Sequence, residues 1–135
     1  MPYSAQTMYE VVNNVKDYPE FLPWCADAKI LSQSETSMDA AILMKKAGVN
    51  HWFSTSNKLL KNKKIEMTLL DGPFKRLEGG WEFIELEDRA SKIILRLNFE
   101  FSSGLGKTLI APVFTRIANT MVDSFCTRAH EVNKA

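Results

Sequence analysis

Ile93-Ile94-Leu95-Arg96-Leu97-Asn98-Phe99-Glu100-Phe101, followed after Ser102-Ser103-Gly104 by an apolar-spaced run from Leu109 to Val132, decides how this chain folds. In the first stretch Ile93, Leu95, Leu97, Phe99 and Phe101 occupy alternate positions, opposite Ile94, Arg96, Asn98 and Glu100. That is the period of a half-buried strand. Past Gly104 the period changes. Leu109, Val113, Ile117, Met121, Phe125 and Val132, with Ile110, Phe114, Ala118 and Val122 beside them, form one broad apolar stripe. The stripe predicts a helix of about 20 residues, about 30 Å long. Pro112 marks its start or a kink in its first turns. A helix with one apolar side must lie across something apolar, and the Ile93–Phe101 face is the obvious partner.

Upstream, period two recurs. Ala28–Ser34 reads as a strand, and Met38, Ala40, Ile42 and Met44 alternate with Asp39, Ala41, Leu43 and Lys45. Ala47-Gly48-Val49-Asn50 is a turn signal before a strand over Trp52–Leu60, which the polar turn Lys61-Asn62-Lys63 closes. Ile65, Met67 and Leu69 alternate until Asp71-Gly72-Pro73 breaks the run. Leu77–Leu86 follows, where Gly79-Gly80 suggests a bulge or a bend, and Glu87-Asp88-Arg89 turns the chain into the last strand. Short strands on short turns make an antiparallel meander. At the N-terminus Ser4 can cap a helix whose Met8, Val11, Val12 and Val15 share a face and which ends near Asn13–Lys16. Asp17 can cap a second short helix with Pro19 in its first turn and Pro23 as its stop. The expected architecture is α+β: two short N-terminal helices and a curved antiparallel sheet wrapped around a long C-terminal helix.

The composition fits one domain over residues 1–135. Apolar residues make up 45% and charged residues 24%, so the chain can bury a core. Seventeen basic against sixteen acidic side chains leave a net charge of +1, which argues against a general polyanion or DNA binder while allowing a local basic patch. Cys25 and Cys126 are too few for a disulfide scaffold, and with only His51 and His130 they do not make a structural zinc site. The start Met-Pro-Tyr-Ser-Ala-Gln lacks the pattern of a secretory signal, and no run approaches about 18 apolar residues. A soluble cytoplasmic protein with at most transient membrane contact is the expectation.

The chemical motifs are weak. Gly104-Leu105-Gly106-Lys107-Thr108 resembles a phosphate loop, but the position five before Gly106 holds Phe101, so it reads as a connection. Cys126 and His130, four apart on one helix, lack a source of thiolate stabilisation and an oxyanion site, so packed thiols are the simpler reading for both cysteines. Glu85, Glu87 and Asp88 make an ordinary charged turn, and His51 beside Trp52 an ordinary strand-end residue. Lys58, Lys61, Lys63 and Lys64 gather at one hairpin tip, where they are either anion contacts or a solvated turn that discourages edge pairing. Three tryptophans, eight phenylalanines and six methionines either fill the core or line a cavity for a flexible apolar ligand.

Three segments carry a resemblance. Pro2-Tyr3-Ser4-Ala5, Asp17-Tyr18-Pro19-Glu20-Phe21-Leu22-Pro23-Trp24-Cys25, and Asp71-Gly72-Pro73-Phe74-Lys75-Arg76-Leu77-Glu78-Gly79-Gly80-Trp81-Glu82-Phe83 are similar to the coenzyme Q-binding branch of the START-like (SRPBCC) proteins. Within that branch the chain resembles the ribosome-association toxins. The resemblance implies a helix-grip fold with a hydrophobic tunnel between sheet and C-terminal helix. It also implies binding of ubiquinone or a similar lipid in support of respiration, and binding of the large ribosomal subunit to block subunit joining, with an antitoxin protein as a further partner. No required cofactor and no metal follow from it, and no catalytic residue carries over. The expected ligand-lining residues are Phe83, Leu95, Leu97, Phe99, Val113, Ile117, Met121 and Phe125. The expected ribosome or anion contacts are Lys58, Lys61, Lys63 and Lys64. An aromatase or cyclase would need an acid or base in the tunnel, for which Arg96 and His51 are the only mild candidates. Family members normally carry a strand ahead of Pro-Tyr-Ser-Ala, so the sheet is expected to lack an edge strand or the chain to begin upstream of Met1.

Overall fold

The computed structural model describes residues 1–46, 48–101 and 105–133. Ala47 of the first expected turn, the Ser102-Ser103-Gly104 connection and the first glycine of the phosphate-loop look-alike lie outside them. Helix α1, Ala5–Asn13, starts where Ser4 Oγ accepts the Thr7 amide at 3.2 Å, and it buries Ala5, Met8, Tyr9 and Val12. A single 3-10 turn over Val15–Asp17 leads into helix α2, Tyr18–Phe21, with Pro19 in its first turn. Asp17 stands at the start of α2 without capping it. Its carboxylate instead accepts Asn14 Nδ2 at 2.7 Å and faces Arg128, 3.7 Å away.

Six strands follow in sequence order as one antiparallel sheet: β1 Cys25–Gln33, β2 Ser37–Lys46, β3 Val49–Leu60, β4 Lys64–Asp71, β5 Phe74–Glu85 and β6 Ser91–Phe101. Each pairs with the next, the meander that the short turns imply. Gly79 and Gly80 interrupt no ladder: Gly79 pairs with Met67 and Leu97, Gly80 with Glu66 and Arg96, with no shift of register. The need for glycine is steric. A Cβ at Gly79 would stand 2.0 Å from the Arg96 carbonyl oxygen, and one at Gly80 2.1 Å from that of Ile65. The neighbouring strands therefore close in on β5 at this point, as a bend requires and a bulge does not.

Helix α3, Leu105–Val132, has 28 residues rather than about 20, with Pro112 inside it. It crosses the inner face of the sheet, packing on β3 and β6 and against α1. Two aromatic groups anchor it. Phe114 meets Phe53, Phe74, Phe99 and Phe101 at one place, and Phe125 meets Tyr18, Phe21 and Trp81 at the other, all edge to face. At the C-terminal end Arg128 reaches Glu20 at 3.8 Å as well as Asp17, and lies over the Phe21 ring at 4.9 Å. Tyr3 and His130 share a 2.9 Å hydrogen bond. On the far side of β6, Met1 donates its ammonium to Ser91 O and accepts the Ser91 amide, the reciprocal pair of an antiparallel ladder. β6 has no further strand partner on that edge among the described residues.

Candidate functional site

Between the aromatic anchors the core does not close. A cavity of ≈ 80 Å³ lies under α3, walled by the inward positions of β2 through β6, by Val15, Tyr18 and Trp24 below, and by Phe114, Ile117, Ala118 and Met121 above. Its lining is mostly apolar and, among the described residues, holds no charged side chain. About 150 Å³ of apolar cavity is enough for benzene, so this one takes a larger ring only if its walls give. Met67 and Met121 are the walls suited to that, being unbranched and rotatable.

Of the eight residues expected at a ligand, the structure brings Leu97, Ile117 and Met121 to the cavity. Phe125 and Phe83 belong to the solid core instead, Phe125 against Tyr18 and Trp81, Phe83 against Tyr9 and Trp81. Val113 is buried outside the cavity wall. Leu95 and Phe99 line a shallow groove of ≈ 190 Å³ between β6 and α3, together with Leu97, Thr115, Ala118 and Asn119. Leu97 and Ala118 face both spaces.

The wall also contains residues the stripe of the last strand and helix could not indicate: Trp24, Phe53, Trp81 and, most informatively, Thr55 and Asn57. On β3 the inward positions run Phe53, Thr55, Asn57, Leu59, all buried. Two polar residues on the core side of an alternating strand were the available signal. Thr55 Oγ1 donates to Asn57 Oδ1 at 2.9 Å. The Tyr18 hydroxyl, the one titratable group among the described residues of the wall, donates to the Val12 carbonyl, and burial pushes its pKa far upward.

Among the described residues, the other candidates for chemistry face outward or hold their protons. Arg96 lies on the outer face, 3.6 Å from Glu82, and His51 is exposed on β3. Neither lines the cavity. Burial pushes the Cys25 thiol up to about 11, and burial likewise raises Cys126, so both stay protonated at neutral pH. Among the described residues no cluster of His, Cys, Asp or Glu could hold a metal ion, and no helix is long and apolar enough to cross a membrane. The four lysines do gather on the β3–β4 hairpin, all exposed, but in two environments. Lys58 stands opposite Glu66 and Lys64 opposite Glu82 in the ladders, whereas Lys61 and Lys63 flank Asn62 at the turn, whose φ of 64° closes it tightly.

Residues 1–126 match the family described as polyketide cyclase / dehydrase and lipid transport. The chain belongs to this family. It is START-like in fold: it superposes on an aromatase/cyclase from Streptomyces with a TM-score of 0.83 at 16% identity, covering 98% of this chain and 91% of that one. A START superfamily protein from Mycobacterium smegmatis gives 0.81 at 16% identity, covering 98% and 94%. In sequence it is 44% identical to the ribosome association toxin RatA of Escherichia coli, over all of this chain and 85% of that protein. A more distant relative is the mitochondrial coenzyme Q-binding protein COQ10 of Dictyostelium discoideum, 27% identical over 98% of this chain and 66% of that protein.

Proposed function

We propose that this protein is a START-like binding protein of the RatA type. It associates with the large ribosomal subunit in the cytoplasm, blocks subunit joining under control of an antitoxin, and holds ubiquinone or a similar apolar molecule beneath α3. The observation that carries this reading is the cavity wall, which is mostly apolar and among the described residues holds no charged side chain. Such a wall suits holding an apolar molecule. Identity to RatA along the entire chain supports the ribosomal half, and the likeness to COQ10 supports the choice of ubiquinone.

Lys61 and Lys63 are the proposed rRNA contacts, since no acidic neighbour faces them in the ladder, with Lys58 and Lys64 adding to the same positive tip. The fourfold change of Lys58, Lys61, Lys63 and Lys64 to Glu should abolish co-sedimentation with large subunits in sucrose gradients, and the Lys61/Lys63 pair alone should remove most of it. A folded fourfold variant that still co-sediments refutes the contact. Native mass spectrometry of protein purified without detergent tests the ligand half. An empty protein that also refuses added ubiquinone overturns it.

A second reading, a quinone carrier without a ribosomal role, is favoured by the COQ10 likeness, and the same two assays separate it: quinone uptake with no subunit binding. An aromatase or cyclase finds no support in the cavity, because Arg96 and His51 lie outside it.

A further inference from the structure

The Thr55–Asn57 pair is an anomaly inside an apolar space. Asn57 is 7% exposed and Thr55 9%, both on the inner face of β3 and both lining the cavity. Burying an amide in such a wall is unfavourable unless its donors and acceptors are paired. The Thr55 hydroxyl donates to Asn57 Oδ1 at 2.9 Å, which leaves the Asn57 N–H₂ for another partner. No hydrogen bond from Asn57 Nδ2 occurs among the described residues, and the atom is not one of their fully enclosed unpaired ones, which are Asn62 Oδ1 and Ser91 Oγ. Tyr18, also in the wall, has its hydroxyl committed to Val12 O, and Trp24 and Trp81 add an indole N–H each. An amide whose oxygen is engaged by a neighbour has its N–H₂ left to donate to a guest. Among the described residues no lysine, arginine, histidine or carboxylate stands in the wall to neutralise a charged guest. A carboxylate, phosphate or ammonium entering here would be desolvated without a counter-charge.

From this we infer that Asn57 is the polar anchor of the cavity, donating through Nδ2 to the carbonyl oxygen of an uncharged apolar ligand, with Thr55 as its positioning residue. The inference rests on the reading of the cavity as a ligand space and adds the chemical class of its occupant. The guest's buried end is neutral and carries an acceptor, as a quinone or ketone does. Fatty acids and phospholipid headgroups are rejected at that end.

Quenching of the cavity tryptophans, Trp24 and Trp81, provides the assay. The probes are a short-chain ubiquinone, an isoprenoid hydrocarbon of similar size without oxygen, and the same chain ending in a carboxylate, the two non-quenching probes being read by competition. Wild type is expected to bind the quinone best and the carboxylate least. Asn57→Leu should weaken quinone binding about tenfold or more while leaving hydrocarbon binding unchanged or improved. Asn57→Asp should weaken it further, since a carboxylate presents only acceptors to the carbonyl. Thr55→Val, which removes the hydroxyl at nearly constant shape, should give a smaller quinone-selective loss and serves as the second variant if Asn57→Leu fails to fold. Equal quinone affinity in wild type and Asn57→Leu, or tight binding of the carboxylate by wild type, overturns the anchor alone. Failure of wild type to bind quinone or hydrocarbon overturns the ligand reading together with it.

Discussion

Ala40 tests whether the void under α3 is kept open for a purpose. It lies on β2, 3% exposed, paired with Ile30 and Thr55, and its methyl lines the cavity. Ala40→Val places two more carbon atoms toward a space of ≈ 80 Å³. Burying them is worth about 0.8 kcal/mol each, about 1.6 kcal/mol in all, less about 0.5 kcal/mol for the rotamer freedom of valine. Valine also suits a strand better than alanine, so the net gain is about 1 kcal/mol. For a chain of this length that raises Tm by roughly 3 to 6 °C. Had the site been close-packed, the same change would cost about 1 to 3 kcal/mol through forced rotamers. Urea denaturation of the ligand-free protein measures the sign directly, and quinone uptake is then measured on the same preparation. The expected result is a more stable protein that takes up less quinone. Destabilisation by 1 kcal/mol or more would show that no usable space lies beside Ala40. Stabilisation with undiminished uptake would show that the space is not where the ligand sits.

Three other changes follow from the packing. Phe125, 1% exposed and edge-on to Tyr18, Phe21 and Trp81, should cost about 4 to 5 kcal/mol when cut to alanine, at the top of the range for buried phenylalanine; a loss below about 2 kcal/mol in urea titrations would contradict the anchoring role. Arg128, its side chain 17% exposed among Asp17, Glu20 and the Phe21 ring, should lose about 1 to 2 kcal/mol on change to alanine. The loss should shrink in 1 M salt, and one that ignores salt would mean that packing of the arginine stem accounts for all of it. Alkali should destabilise the fold: Cys25, ordinarily near 9, is raised to about 11, so the folded state holds its proton more tightly than the unfolded chain. Its contribution is complete below pH 9 and is lost as pH climbs toward 11, and Tyr18, raised further, extends the decline above pH 10. Cys25→Ala should flatten the pH 9 to 11 part of that curve measured by urea unfolding, and an unchanged slope would exclude the thiol as its source.

The elements were legible in the chain because each buries one face only. A strand that hides one side must alternate, and Ile93 to Phe101 does; a helix laid across it must show a stripe, and Val113 to Phe125 does. The length of α3 was not legible, because its first turn adds little to the stripe and Pro112 reads as a beginning while standing within the helix. The position of the cavity was legible only in part. Periodicity says which side of a strand faces inward but not where along a curved sheet the helix stands off from it. Leu95 and Phe99 face inward as expected, yet β6 runs along the rim and they reach a surface groove. Phe83 and Phe125 are inward too, but the cluster around Trp81 closes completely over them. The feature that does locate the space is a conflict of levels: polar Thr55 and Asn57 at core positions of β3, where packing alone would place valine or leucine.

That conflict also explains why the two halves of the proposed function can be tested apart on one strand. Asn57 and Lys58 are consecutive, so the pleat sends one side chain into the cavity and the next to the outer face opposite Glu66. Two residues beyond Lys58, β3 ends at Leu60, and the lysine turn begins at Lys61. A substitution at Asn57 that merely distorted β3 would move Lys58 and the turn with it, and would weaken subunit binding and quinone binding together. One that removes a donor inside the cavity leaves the outer ladder in register and alters quinone binding alone. Measuring ribosome co-sedimentation on Asn57→Leu is therefore the control that separates lost chemistry from lost structure. Quinone uptake by Lys61→Glu is the reciprocal control, expected to be unchanged because Lys61 is exposed at the turn and does not line the cavity.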